Sequence, residues 1–246
     1  MNSPYVEKVN PPYLEPFVLS VDPAARERHG RVDLYLPEAD GPRPAVVFLH
    51  GGPVAPDLTP TPRDWPIFLG YGNSVARRGF VGVTVDHRLH DVTAYATAAD
   101  DVAEAVEFAR RDPRVDGDRV ALWFFSGGSP LISDWLREPP AWLRALGATY
   151  PLLGPWPEVS MDPRFFADEA VAGAGELPIV LTRAGNEFPV LVPSQEAFVA
   201  AARKHDARLE IIDVPDGQHG FDQLDHTEQS RKAVERALDS VLATLK

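Results

Sequence analysis

Apolar residues recur along this chain in two rhythms: short continuous runs, and longer stretches with three- and four-residue spacing. Arg31–Leu36 (RVDLYL) alternates apolar and polar positions, as a half-exposed strand does when successive side chains point to opposite faces. Pro44–Leu49 (PAVVFL) is apolar throughout and stops at His50-Gly51-Gly52-Pro53, the pattern of a strand buried on both faces that ends in a loop. Phe80–Asp86 (FVGVTVD) repeats that form, and Asp118–Phe125 (DRVALWFF), Leu146–Tyr150, Pro178–Arg183 (PIVLTR) and Leu209–Val214 (LEIIDV) are further predicted strands. Tyr95–Arg111 carries Ala99, Val102, Ala103, Val106 and Ala109 at helical steps. Further helices are predicted from Ser126 through Leu136, over Pro193–His205, and over Asp225–Leu245 with Ala233, Ala237, Leu238, Val241 and Leu245 on one side.

Buried strands alternating with helices predict an α/β fold, a mainly parallel, doubly wound sheet covered on both faces. In such sheets ligands sit beyond the carboxyl ends of the strands, so chemistry is expected just after strands. One domain is expected over residues 1–246, with residues 1–30 as a strand-poor or edge-strand lead-in. Residues 151–177 have no clear period and exceed an ordinary loop, so a short lid is expected there.

The length of 246 residues suits a single large core. A net charge of −12 argues against a nucleic-acid partner, which needs a positive field. The chain has no cysteine, which excludes disulfides, thiolate metal sites and a cysteine nucleophile. Its first residues lack the basic-then-apolar pattern of a signal peptide, and no apolar run approaches the roughly 18–20 residues of a membrane span. A cytoplasmic protein without a membrane partner is the expectation.

Candidate chemistry gathers after three of the strands. Phe124-Phe125-Ser126-Gly127-Gly128 closes a buried strand and opens a helix. A tight turn there lifts a serine hydroxyl clear of the sheet, while the helix start offers free N–H groups to a developing anion. His50-Gly51-Gly52-Pro53 follows the first buried strand, and Asp216-Gly217-Gln218-His219-Gly220-Phe221 follows the last. With these motifs the chain, over residues 31–246, resembles the α/β-hydrolase superfamily, and it is most similar to the dienelactone-hydrolase-like and small carboxylesterase branches. The family turn reads Gly-x-Ser-x-Gly; here Ser126 and Gly128 match, and Phe124 stands where the first glycine is usual.

The resemblance implies the α/β-hydrolase fold, Ser126 as nucleophile, His219 as general base, and Gly52 and Gly127 as backbone donors of an oxyanion hole. It also implies an acid after the penultimate strand. Aspartate is usual there; Glu187 is the nearest carboxylate, with Asp162 and Glu158 as substitutes. A serine that merely caps a helix would look the same in isolation, but the order of the three motifs favours the nucleophile. Ser129 is a poorer rival because Leu131 holds its +2 position. His50 reads as a structural residue of its loop, and Asp213 and Asp216 as turn formers. Asp86-His87-Arg88-Leu89-His90-Asp91 looks metal-like but reads as structural, so neither metal nor cofactor is expected.

Trp123, Trp135 and Trp142 lie in apolar patterns and are expected in the core. Phe125 next to the serine, together with Trp156, Met161, Phe165 and Phe166 of the candidate lid, could line an acyl pocket, with Trp65 and Phe68 as the opposing wall. The implied activity is hydrolysis of small-molecule carboxylic esters, with short acyl chains because the lid is short. A thioesterase or acyl-peptide hydrolase would use the same residues. A hydrolase fold that binds a small molecule without turnover is the reading that Phe124 and the absent aspartate favour.

Overall fold

The computed structural model describes residues 11–155 and 159–246. Among them, the strands are β1 (Ala25–His29), β2 (Val32–Leu36), β3 (Arg43–Leu49), β4 (Val81–Val85), β5 (Val115–Phe125), β6 (Leu143–Thr149), β7 (Ile179–Asn186) and β8 (Leu209–Gln218). The helices are α1 (Pro66–Arg77), α2 (Tyr95–Arg111), α3 (Ile132–Arg137), α4 (Ala167–Ala170), α5 (Val192–Lys204), α6 (Phe221–Leu224) and α7 (Glu228–Ala243). The strands form one sheet in the order β1-β2-β4-β3-β5-β6-β7-β8. β1, β2 and β4 pair antiparallel, and every pair from β4·β3 to β7·β8 is parallel. No helix among the described residues is long and apolar enough to cross a membrane.

Alternation along the central strands feeds two cores. Ala45, Val47 and Leu49 of β3 and Val120, Leu122 and Phe124 of β5 face the side covered by α2, α3 and α5. Val46, Phe48, Ala121, Trp123 and Phe125 face the side covered by α1 and α7. Phe48, Phe124 and Trp123 are essentially without solvent exposure, and each such side chain contributes about 2–3 kcal/mol by burial. The two faces meet at the carboxyl end of β5, where the chain turns into Ser126.

Two elements depart from the pattern-based reading, α1 and the segment 151–177. The lead-in does contribute β1, an edge strand, and also a 3-10 turn at Pro12–Leu14. Helix α1 was not predicted, although Ile67, Phe68, Tyr71 and Val75 bury one side of it; Gly70 and Gly72, poor helix formers, obscure that stripe. The described part of 151–177 is not a lid. It is a chain of single turns, Pro163–Phe165, α4 and Val171–Gly173, whose Leu153, Phe165, Ala167, Ala170 and Val171 are buried in the core against α3 and α5. One-turn helices carry no period for a sequence to display, and that is why the segment reads as a loop.

Candidate active site

Ser126 stands at φ 48°, in the left-handed region that few non-glycine residues occupy. Strain of this kind is what a sharp strand-to-helix turn requires, and it projects the hydroxyl from the end of β5. The turn continues as a 3-10 helix, Ser126–Leu131. A Cβ at Gly128 would lie 2.1 Å from the His50 carbonyl oxygen, so only glycine lets the turn sit against the loop after β3. Phe124 finds its room on the opposite side of the strand, with no exposure, in the core beneath α2 and α3. A bulky residue in the first glycine position is thus absorbed by the core rather than by the turn.

Ser126 Oγ lies 2.8 Å from His219 Nε2, and His219 Nδ1 lies 2.7 Å from Glu187 Oε1. A carboxylate can only accept from the ring, so Nδ1 carries the proton and Nε2 is left to accept from the serine hydroxyl. Glu187 follows β7 with a side chain almost fully buried, and its other contacts are donors: the Phe188 N–H at 2.8 Å and Gln195 Nε2 at 3.2 Å. Gln195 also donates to the Pro151 carbonyl at 3.1 Å, which fixes the orientation of its amide. The imidazole sits between two rings, Tyr150 at 4.6 Å and Phe188 at 4.7 Å between centroids. The three residues expected together from the sequence are therefore together. Of the substitutes for Glu187, Asp162 caps the Arg164 N–H at 2.9 Å, and Glu158 lies outside the described residues. Asp213 pairs with Arg183 at 2.8 Å, and Ser129 is buried inside its turn.

The glycine loop approaches from β3. A Cβ on Gly51 would stand 3.0 Å from Ser126 Cβ, and Gly52 lies at the cavity surface. The Gly127 N–H belongs to the first turn of the helix, whose donors have no partner inside it, and the Gly127 carbonyl is held by Tyr95 Oη at 2.6 Å. Two stacked histidines brace this loop. His50 and His87 lie 3.7 Å apart, nearly parallel and both buried. His50 Nδ1 reaches the Gly51 carbonyl at 2.5 Å, the His87 N–H donates to His50 Nε2 at 3.3 Å, and His87 Nε2 reaches the His50 carbonyl at 3.0 Å. His50 therefore donates from Nδ1 and accepts at Nε2, while His87 donates from Nε2 and its buried Nδ1 meets no hydrogen-bond partner among the described residues, so both rings are neutral. Burial pushes both below the usual histidine range, His87 further because His50 also faces it. His90 reaches the Val54 carbonyl at 2.9 Å and Arg88 binds Asp101, so the Asp86–Asp91 segment is spent on structure.

A cavity of about 570 Å³ opens over Ser126. Tyr13, Trp65, Phe68, Phe125, Tyr150 and Phe188 form its rings, Asn186, Gln218 and Gln223 supply amides, and among the described residues no charged side chain lines it. Trp65 and Phe68 take the wall position expected of them. Phe165 and Phe166 do not reach the cavity: Phe165 is buried against Tyr95 at 5.5 Å, and Phe166 packs on the same core. The described part of their segment buries Leu153, Phe165, Ala167, Ala170 and Val171 in the core under α3 and α5 rather than turning them toward Ser126. Trp156 lies outside the described residues. The wall expected from the lid is supplied by Tyr13, stacked on Trp65 at 4.8 Å. Arg63 fixes the loop carrying Trp65, reaching the Gly30 carbonyl at 2.6 Å, Asp33 at 3.3 Å and Asp86 at 2.8 Å. Tyr13, Tyr150, Phe188 and Gln195 were missed from sequence, and of these only Phe188, beside Glu187, carried a positional signal.

An eight-stranded sheet of this order, with a serine on a strained turn and a histidine after the last strand, is an α/β-hydrolase fold. Known proteins agree with that class. The family model described as BD-FAE matches residues 32–133. No curated protein matches the sequence. Among solved structures, Thermogutta terrifontis esterase 2 phosphonylated by sarin superposes with a TM-score of 0.68 at 17% identity, covering 92% of this chain and 98% of that one. The butyrate-bound form of the Thermogutta terrifontis esterase Est2 gives 0.63 at 17% identity, covering 86% and 89%. DcsB in complex with its substrate analogue gives 0.67 at 12% identity, covering 87% and 94%.

Proposed function

We propose that this protein is a serine hydrolase of uncharged carboxylic esters with short acyl chains. The reading rests on the hydrogen-bonded line from Ser126 Oγ through His219 to Glu187, with distances of 2.8 and 2.7 Å. Ser126 Oγ attacks the ester carbonyl carbon while its proton passes to His219 Nε2, and Glu187 stabilises the imidazolium that forms. The carbonyl oxygen becomes an oxyanion that accepts from the Gly52 and Gly127 N–H groups. When the intermediate collapses, the alcohol leaves with the proton from His219 and the acyl group stays on Ser126. Water enters, gives a proton to His219 and attacks the acyl carbon; the proton returns to Ser126 as the acid departs.

A cavity whose described lining carries no charged side chain disfavours charged acyl or alcohol groups, since burying an unpaired charge costs several kcal/mol, of order 3 or more. Butyrate bound to one esterase of this fold supports a short acyl group, and phosphonylation of the same esterase by sarin supports a reactive serine. A fluorophosphonate probe tests the reading. Labelling is expected at Ser126 and is expected to vanish in His219→Ala, and p-nitrophenyl esters from acetate to laurate should show the highest kcat/KM at the short end. A protein that is folded by circular dichroism yet takes no label would be a binding module instead.

A further inference from the structure

Behind the imidazole lies a second carboxylate that the reaction above does not use. Asp222 has no solvent exposure. Its Oδ2 accepts from Tyr71 Oη at 2.9 Å and its Oδ1 from Tyr150 Oη at 2.8 Å. Its backbone carbonyl accepts from the Val18 N–H at 2.9 Å. Tyr150 is the ring that packs on His219, and it stands at φ 35°, left-handed and non-glycine, one residue past β6. Its N–H donates to the Thr182 carbonyl at 2.8 Å, and the bond to Asp222 ties down the far end of the side chain. Asp222 is also three residues beyond His219, at the start of α6. It therefore grips the imidazole from two sides, through the loop that carries the ring and through the ring that supports it.

We propose that Asp222 is a positioning residue for His219, acting through the Tyr150 hydroxyl to fix the wall and the loop between which the imidazole turns. The inference rests on His219 being the general base. Burial pushes the Asp222 carboxyl up to about 6, while the Tyr150 and Tyr71 hydroxyls and His219 pull it down. These are the groups that face it: Tyr71 from α1, Tyr150 past β6 and His219 past β8. Glu187, beyond β7, acts on Tyr150 rather than on Asp222 itself. A buried carboxyl raised in this way binds more protons folded than unfolded, so stability falls as pH rises from its usual range to about 6. Above that window the anion costs the fold stability, and what it holds there is the Tyr150 hydroxyl behind His219.

Three variants separate positioning from scaffolding. Tyr150→Phe keeps the ring and deletes the hydroxyl that ties it to Asp222. Tyr71→Phe deletes the other hydroxyl, on a side chain that does not line the cavity. Asp222→Asn removes the charge and keeps the size. We expect Tyr150→Phe to lower kcat roughly fivefold at unchanged KM, and Tyr71→Phe to change it less than about twofold, although both lose similar thermal stability. Asp222→Asn should lower kcat about tenfold. It should also move the acid limb of the kcat–pH profile to lower pH, together with the ring titration of His219 followed by NMR. Folded Asp222→Asn and Tyr150→Phe proteins with wild-type kcat, acid limb and ring titration would overturn the proposal. Should Asp222→Asn not fold, equal kcat effects in the two tyrosine variants would overturn it. If the wild-type protein is inert toward esters and probe, the reading of the reaction fails, and the ring titration alone still decides whether Asp222 governs His219.

Discussion

Three histidines lie within reach of the turn at Ser126, and they divide into two kinds. His219 is partly open to the cavity, has a carboxylate on one nitrogen and a hydroxyl on the other, and rests between two aromatic faces. His50 and His87 are buried, stacked on one another, and bonded only to backbone groups and to each other. The residue type is the same; the partners decide what it can do. A carboxylate behind the ring lets His219 gain a proton at small cost. For the stacked pair a gained proton has no acceptor, and each ring would confront a like charge. They serve as posts for the glycine loop because they stay neutral.

The widest separation between the two kinds should appear in turnover. His219→Ala is expected to lower kcat by roughly four to six orders of magnitude with little change in stability, measured on a p-nitrophenyl ester. Glu187→Gln sharpens the point. Its amide must meet the Phe188 N–H and the His219 Nδ1 on one side and the Gln195 Nε2 on the other, all donors to the present carboxylate. If the amide nitrogen faces His219, the ring takes the wrong tautomer; if it faces Gln195, two NH₂ groups collide. We expect kcat to fall by roughly two to four orders of magnitude with KM within about threefold. A Glu187→Gln enzyme with wild-type kcat would remove the carboxylate from the chemistry and with it the distinction between His219 and the buried pair.

A smaller effect is expected from pH. His50 and His87 are held below the usual histidine range by burial, so the unfolded chain binds more protons than the folded one once pH drops below about 6.5. Stability contributed by the neutral pair is complete above that value and is lost progressively as pH falls. Replacing His87 by Phe keeps a ring stacked on His50 and removes the titrating group. Thermal denaturation followed from pH 8 to pH 5 should therefore show a shallower loss in His87→Phe than in the wild type, whatever the two melting points are at pH 8. Parallel curves would mean that other groups govern the acid sensitivity.

How much of this was legible beforehand follows the same division. Ser126, Glu187 and His219 each sit directly after a strand, and the apolar runs that end at β5 and β7 announce their own ends, while β8 is a half-exposed edge strand marked by Leu209–Val214. Their convergence is a property of the parallel sheet, which brings all its carboxyl ends to one edge. Phe124 looked like a defect because the sequence does not say which face of β5 is deep enough to hold a phenyl ring. Tyr150 and Gln195 were invisible for another reason, as was the stacking of His87 on His50. Each acquires its role from a contact with a segment far away in the chain, and no local pattern encodes that. The segment 151–177 misled because single helical turns and long loops look alike in sequence, yet these turns bury Phe165 as completely as any strand.

That segment and the lead-in exchanged parts, and the exchange has a measurable consequence. Tyr13 covers the cavity by stacking on Trp65 at 4.8 Å, on a 3-10 turn whose apolar contacts are otherwise few. Its neighbours at the mouth, Trp65 and Phe68, are anchored by α1 and by the Arg63–Asp33 contact, so losing Tyr13 should widen the cavity without moving the wall beneath it. Tyr13→Ala removes one stacked aromatic pair, worth about 1 kcal/mol, and leaves Ser126, His219 and Glu187 untouched. KM for a short-chain p-nitrophenyl ester should rise by roughly three- to tenfold with kcat unchanged, and the ratio of long-chain to short-chain activity should increase. Phe166→Ala is the paired control, because Phe166 belongs to the core under α3 and α5. It should cost stability and leave both KM and chain-length preference alone; the reverse outcome would return the role of cover to 151–177.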